Sequence, residues 1–163
     1  MNALPMTALI TEPITRIEAA TLADLPQLTE LVMELMEIEQ DFSPNRAKQE
    51  HGLRLILEQP NRGRIFVMRT DDQIIGMVNL LFTISTAVGG HVILLEDLIV
   101  HPDHRSQGYG GRLLEYVKTF AKSKGFLRIT LLTDRISDDS QDFFENHGFQ
   151  RSAMIPMRIV LDV

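Results

Sequence analysis

The sequence predicts an α/β (α+β) domain, with a mixed, mostly antiparallel central sheet and helices on both faces. Three observations carry this. Between residues 64 and 100 run three segments rich in Ile, Val, Leu and Phe, separated by turns short enough to make neighbours antiparallel. Helical periodicity appears on both sides of that block, and a strand-like and a helix-like stretch alternate again towards residue 161. The chain has 163 residues, 44% hydrophobic and 23% charged, which suits one domain burying about 70% of its unfolded surface. Its 10 Gly and 7 Pro are ordinary for a globular chain and exclude disordered and collagen-like classes.

Residues 1–13 read as a flexible leader and 14–163 as a single domain. A first strand is expected over 14–18. Asp24, with Gln27 three residues on, reads as a helix N-cap, and Leu25, Leu28, Val32 and Leu35 form the apolar stripe of a helix to about Ile38. Residues 40–45, containing Pro44, break it. A second helix over 46–59 buries Leu53, Ile56 and Leu57 and stops at Pro60, because proline disfavours helical geometry in the residue before it. Strands follow over 64–69, 73–83 and 91–100. A helix from Gln107 or Gly108 to Lys124 carries Leu113, Val117 and Phe120 on one stripe, and Gly125 is placed to end it in the left-handed conformation. A strand over 126–132, a short helix over 140–147 and a closing strand over 155–161 complete the order β-α-α-β-β-β-α-β-α-β.

Composition narrows the function classes. With 16 Lys+Arg against 22 Asp+Glu the net charge is -6, the wrong sign for neutralising phosphate backbones, so nucleic acid is not an expected partner. The absence of Cys excludes disulfides, thiolate metal sites and a cysteine nucleophile. No apolar run reaches the roughly 20 residues that span a bilayer, and residues 1–11 lack the basic start of a secretory signal. A cytoplasmic protein without membrane partners is the expectation.

The most informative stretch is V-H-P-D-H-R-S-Q-G-Y-G-G-R, residues 100–112, which joins an apolar strand to a helix. Glycines at Gly108, Gly110 and Gly111 remove side chains where backbone N–H groups at a helix start can close around an anion. A lone glycine-rich turn would be read as structural; its place between strand and helix favours a phosphate cradle. The dinucleotide fingerprint G-x-G-x-x-G fails because Leu113 occupies the third glycine position, and no Gly-Lys-Ser/Thr closes a P-loop. A nicotinamide-dependent oxidoreductase is thereby disfavoured.

Arg105-x-x-Gly108-x-Gly110 instead resembles the acyl-CoA pyrophosphate motif R/Q-x-x-G-x-G/A of the GNAT N-acetyltransferase superfamily. The resemblance covers about residues 14–161. The run Leu95-Glu96-Asp97-Leu98-Ile99-Val100 is similar to the family's fourth strand, and Phe143-Phe144-Glu145-Asn146-His147-Gly148-Phe149 to its F-Y-x-x-x-G-F helix end. The resemblance implies acetyl-CoA as co-substrate, with backbone groups of Leu98, Ile99 and Val100 pairing with the pantetheine arm. It places the pyrophosphate on the loop that follows Arg105, at Ser106, Gln107, Gly108, Tyr109, Gly110 and Gly111, and sets Ser137, Ser140 and Phe144 along the other side of the arm. A homodimer formed through edge strands also follows from it.

Glu96 and Asp97 interrupt an otherwise apolar strand, where carboxylates are costly unless paired or used. Desolvation there raises a carboxyl pKa towards neutral, suiting a general base. The alternative is a hydrated, structural pair at the strand end. In similar family members the first acid of such a run is the base, which assigns the role to Glu96 and leaves Asp97 structural. Family members often protonate the leaving thiolate from a tyrosine, and Phe144 stands at that position; Tyr109 and Tyr116 lie elsewhere. Water, Ser140 or His147 must substitute. His101, Asp103 and His104 form a turn that lacks the helical spacing of zinc motifs, so no metal is expected. Met33, Met36, Met68 and Met77 read as core filler.

Glu34, Glu37, Glu39 and Asp41 precede the break between the first two helices, where they form either an acidic rim for a cationic acceptor or a solvated face. The expected activity is acetyl transfer from acetyl-CoA to a primary amine of a small, polyamine-like molecule in a ternary complex. A protein or peptide amine acceptor stays open. The alternative is an acyl-CoA-binding sensor or regulatory module with little turnover.

Overall fold

The computed structural model describes residues 14–39 and 41–162; the leader expected at 1–13 lies outside them, as does Gln40. The elements are β1 (Thr15–Ala19), α1 (Leu25–Ile38), α2 (Arg46–Leu57), β2 (Gly63–Thr70), β3 (Gln73–Ser85), β4 (Gly90–Val100), α3 (Tyr109–Ser123), β5 (Ile129–Leu131) and α4 (Asp138–Asn146). They build one five-stranded sheet in the order β1-β2-β3-β4-β5. All pairs are antiparallel except β4 with β5, which is parallel because α3 crosses over between them.

Alternation along the strands divides the core into two layers. Ile65, Val67 and Met77 face α1 and α2 with Leu28, Leu31 and Leu53, while Phe66, Met68 and Leu80 face α3 with Leu113, Leu114 and Val117. Helices therefore cover both faces, as the patterning requires. Met68 and Met77, both fully buried, are core residues. No helix among the described residues is long and apolar enough to cross a membrane.

The ends of elements follow their local chemistry. Asn45 caps α2 by accepting from the Lys48 amide at 3.1 Å, and α2 ends before Pro60. Gly125 ends α3 at φ +75°, a conformation only glycine adopts without strain.

Four expectations need correction. Asp24 does not cap α1 with its side chain: its carboxylate accepts from the Thr21 amide at 2.9 Å and from both terminal nitrogens of Arg69 at 3.0 Å. Gln27 likewise turns away from the cap and straps α1 to the β2–β3 turn, accepting from the Ile74 amide and donating to the Asp72 carbonyl. A buried, bidentate Arg–Asp pair and a turn with free backbone groups outcompete a cap that the preceding 3₁₀ turn, Leu22–Asp24, makes unnecessary. The third concerns the closing strand over 155–161. Residues 152–162 have no regular secondary structure and are exposed throughout, because a strand needs a neighbouring edge and this segment reaches none. Arg158 instead bonds Asp41 at 3.5 Å and lies over the Phe42 ring at 5.3 Å, holding the segment beside the α1–α2 connection. The strand over 126–132 also contracts, to Ile129–Leu131.

Candidate active site

The pairing of β4 creates the cleft. On one side β4 runs the full length of β3, but on the other it meets β5 over only three rungs, Ile93 with Ile129 to Leu95 with Leu131. From residue 96 onwards the β5-side edge of β4 has no strand partner among the described residues; the His101 amide bonds the Ile75 carbonyl and Ile99 pairs with Met77 in the same phase, so Ile99 turns its backbone groups to β3 and the Leu98 and Val100 groups turn to the open edge. The Val100 carbonyl is partly committed: Arg105 Nε donates to it at 3.0 Å.

Glu96 sits where this edge opens. Asn79 pairs with Asp97 and Leu80 with Leu95, which makes Glu96 the extra residue of a β-bulge, pushed out of the ladder and exposed. Asp97 returns to the ladder, largely buried, and its carboxylate accepts from Asn79 Nδ2 at 3.0 Å. Burial raises the Asp97 pKa against that hydrogen bond. Desolvation also raises Glu96, the nearby Asp97 adds to the shift, and Arg158 opposes it. Both shifts favour a group that can hold a proton at higher pH than an ordinary carboxyl.

Further carboxylates converge on the same place. Glu39, the residue that ends α1, has its pKa raised by burial first and then by the fields of Asp97, Asp134, Asp41 and Glu96. Asp134 is held in the β5–α4 loop, where Gln141 donates to its carbonyl at 2.8 Å and its carboxylate accepts from the Ile136 amide at 2.9 Å. The acidic run before α2 thus divides: Glu39 and Asp41 face the site, Glu34 is taken by Arg105 at 3.4 Å, and Glu37 lines a separate groove with Gln27 and His101. Asn79 and Asp134 were invisible to the sequence reading, since one is an isolated polar residue in an apolar strand and the other an unremarked loop acid.

The glycine loop is shaped for an anion. Ser106 at φ +60° and Gly108 at φ +81° place two left-handed residues within three positions, the backbone alternation that turns successive amides to one side. The first-turn amides of α3 follow, lacking intrahelical partners as every helix start does. Gly108 opens onto empty space, whereas a Cβ on Gly111 would lie 3.0 Å from the His147 ring, so Gly111 lets α3 and α4 approach. On Gly110 a Cβ would make only ordinary contact with Phe143 and Val100. Gln107 and Tyr109 complete the loop, with the Tyr109 ring under the Arg112 guanidinium. Arg105 buttresses the loop from behind, through Val100 and Glu34.

At α4, Ser137 is the N-cap: its oxygen accepts from the Ser140 amide at 3.3 Å and its hydroxyl donates to Ser140 Oγ at 2.9 Å. That leaves the Ser140 hydroxyl proton free to donate elsewhere. Phe144 packs edge-on against Phe143 and Phe149 as part of the core beneath α4. His147 is occupied by Glu115, at 3.3 Å, and by the Phe143 ring. His101 Nδ1 accepts from the Asp103 amide at 3.1 Å, the role of a turn cap.

Comparison with known proteins agrees with this architecture. Residues 28–149 match the model of the acetyltransferase (GNAT) family. An uncharacterized N-acetyltransferase of Bacillus subtilis, YhfO, is 30% identical over 86 residues, covering 53% of this chain and 58% of its own. The chain spans less than two thirds of the length of the curated relatives it matches, 28% and 40% for two others. Among solved structures, an integron cassette protein from the Cole Harbour Salt Marsh metagenome superposes with a TM-score of 0.77 at 22% identity, covering 90% of this chain and 91% of its own. The aminoglycoside N-acetyltransferase AAC(6')-Iy, in complex with CoA, does so with a TM-score of 0.77 at 17% identity, covering 93% and 98%. The split between β4 and β5, the bulged acid at its mouth and the left-handed loop before α3 sit within the matched residues, and this chain belongs to the GNAT acetyltransferase family.

Proposed function

We propose that the protein transfers an acetyl group from acetyl-CoA to a primary amine of a small cationic molecule, directly and within a ternary complex. The observation that carries this reading is the position of Glu96, bulged out of β4 where the strand's free edge begins, with a raised pKa. Acetyl-CoA supplies a thioester carbonyl open to attack by an amine.

The residues fit that co-substrate. The Leu98 backbone groups and the Val100 amide face the open edge and can meet an extended amide-bearing arm, and the loop of Ser106, Gln107, Gly108, Tyr109, Gly110 and Gly111 offers amides to a pyrophosphate. Arg105 holds that loop in place. Glu96 takes the proton that the attacking ammonium must lose, directly or through one water. A β4 amide beyond residue 97 lies on the same edge and would stabilise negative charge developing on the carbonyl oxygen. Phe144 cannot protonate the departing thiolate; the free Ser140 hydroxyl or a water takes that role, and a thiol pKa near 8.5 makes the demand modest.

Glu39 feels the fields of Asp97, Asp134, Asp41 and Glu96, and this accumulation of carboxylates favours an acceptor with more than one positive charge, such as a polyamine. A peptide or protein amine is the second acceptor class, and a homodimer is the proposed assembly. Phe144 also supports a rival reading, an acyl-CoA-binding module with little turnover. Thiol release from acetyl-CoA, measured with polyamines, aminoglycosides, amino acids and peptide N-termini, separates them. Release that depends on a di- or polyamine, with the acetylated product confirmed by mass, is the expected result. Binding of acetyl-CoA with no release across the panel would favour the binding module.

A further inference from the structure

The open edge of β4 ends in a guanidinium. The Ile99–Met77 pair and the bond from the His101 amide to the Ile75 carbonyl, 2.8 Å, place the Val100 carbonyl on the side away from β3. It is the last acceptor before the turn at Pro102–His104, and no strand among the described residues takes it. Arg105 takes it instead, through Nε at 3.0 Å, while Arg105 Nη2 reaches Glu34 on α1 at 3.4 Å. The turn itself is closed by other bonds, from the His104 amide to the His101 carbonyl at 2.9 Å and from the Asp103 amide to His101 Nδ1 at 3.1 Å. The guanidinium therefore acts on the edge, donating where the first residue of a neighbouring strand would donate.

We propose that Glu34 is a positioning residue for acetyl-CoA, holding Arg105 as a stop that fixes how far the ligand's arm runs along β4. With the Val100 carbonyl filled, the arm pairs only with the Leu98 groups and the Val100 amide, and it leaves the strand where the glycine loop begins. Outward-facing backbone groups repeat every two residues, about 6.6 Å along a strand. A slip of one repeat would carry the thioester well beyond the roughly 3 Å over which Glu96 can exchange a proton with a bound amine. Arginine suits the task because its donors form a rigid fork, so a carboxylate on Nη2 also sets the direction of Nε. On the acidic face of α1 only Glu34 is placed to do this: Glu30, one turn earlier, pairs with Arg46, and Glu37 lines the groove with Gln27 and His101. Both members of the Glu34–Arg105 pair are partly exposed, so losing Glu34 has a smaller effect than losing Arg105 itself.

This inference rests on the acetyl-CoA reading and specifies the register of the bound arm. Because the chain has no Cys, CoA can report where its own sulfur lies. The Glu96→Cys variant is treated with the pyridyl disulfide of CoA, and its capture as a mixed disulfide is followed by mass, with the pyridyl disulfide of cysteamine as the untethered control. Capture from CoA is expected to be at least roughly 100-fold faster than from cysteamine. Adding Arg105→Ala should slow it roughly 10-fold, adding Glu34→Gln roughly 3-fold, and adding both no more than Arg105→Ala does, because Glu34 acts through Arg105. Competition by 3′-phospho-ADP, the nucleotide half of CoA, separates a stop from a phosphate contact. Arg105→Ala should weaken that competition far less than it slows capture; equal losses would make Arg105 a phosphate contact and overturn the stop. Faster capture after Glu34→Gln would also overturn it, since Glu34 would then only repel an anionic ligand. Capture slowed by Arg105→Ala but untouched by Glu34→Gln removes the role of Glu34. Unchanged capture in both variants rejects the stop and keeps the acetyl-CoA reading, whereas no preference for CoA over cysteamine in Glu96→Cys itself rejects that reading and the stop with it.

Discussion

Glu96 and Asp97 are adjacent in sequence and opposite in environment, and one extra residue in a ladder is the cause. The bulge lifts Glu96 into the cleft, while Asp97 stays paired to Asn79 in a layer where a charge is poorly solvated. Asn79 Oδ1 is itself buried with no hydrogen-bond partner, so Asn79 favours Asp97 with one group and leaves the other unsatisfied. Asp97→Asn removes the buried charge and brings a donor within reach of that oxygen. Because burial raises the folded pKa of Asp97, the cost of ionising it grows as pH climbs from the ordinary carboxyl value to the folded one and stays constant above. The substitution is therefore expected to stabilise the fold by about 1 kcal/mol at neutral pH, and by little below about pH 4. Thermal unfolding at both pH values checks this; equal stability at neutral pH would mean that Asp97 is better solvated than its packing indicates.

At the scale of elements, most of what positions the site was legible. The two helical stripes, the three antiparallel strands, the glycine loop and the stop at Gly125 all follow from period, proline and glycine placement, which are local properties. What was not legible depends on long-range choices. The bulge at Glu96 appears only when β3 and β4 are paired, Asp24 leaves its cap because Arg69 arrives from β2, and the last strand forms only if an edge is there to receive it. The glycines separate in the same way. Gly111 is needed where α3 meets α4, whereas a side chain on Gly110 would make only ordinary contact with Phe143 and Val100. Gly111→Ala is thus expected to cost about 1–3 kcal/mol of stability by pressing on His147, whereas Gly110→Ala leaves unfolding within about 0.5 kcal/mol of wild type. Chemical denaturation of both variants distinguishes them. A Gly110→Ala chain as destabilised as Gly111→Ala would contradict the packing account.

The whole molecule is held at its β1 edge by an ion cluster remote from the cleft. Arg69 on β2 bonds Asp24 with both terminal nitrogens at 3.0 Å and Glu18 on β1 at 2.7 Å, joining the entry to α1 to the first two strands. Burial opposes ionisation of Asp24, but the hydrogen bonds from Arg69 and the Thr21 amide prevail and hold its pKa below the ordinary value. A depressed carboxyl pKa contributes stability above the unfolded-state value and loses it as pH falls through the folded one. Asp24→Asn, which leaves Arg69 with half its charge partners, is expected to cost about 3 kcal/mol at neutral pH. That difference should narrow as pH drops below about 4, when wild-type Asp24 also loses its charge. A penalty independent of pH would assign the effect to geometry rather than to charge.

The central claim, that the bulged Glu96 is the base of an acetyl transfer, is tested most directly by the pH dependence of kcat for Glu96→Gln against wild type, once the panel has named an amine. Wild-type turnover should rise with pH through a carboxyl pKa displaced upwards by desolvation and by Asp97, with Arg158 opposing the shift. In the variant that limb should vanish and kcat fall by roughly 100- to 10,000-fold, with the acetyl-CoA dissociation constant unchanged. A Glu96→Gln enzyme that keeps the wild-type rate and pH profile would contradict the assignment.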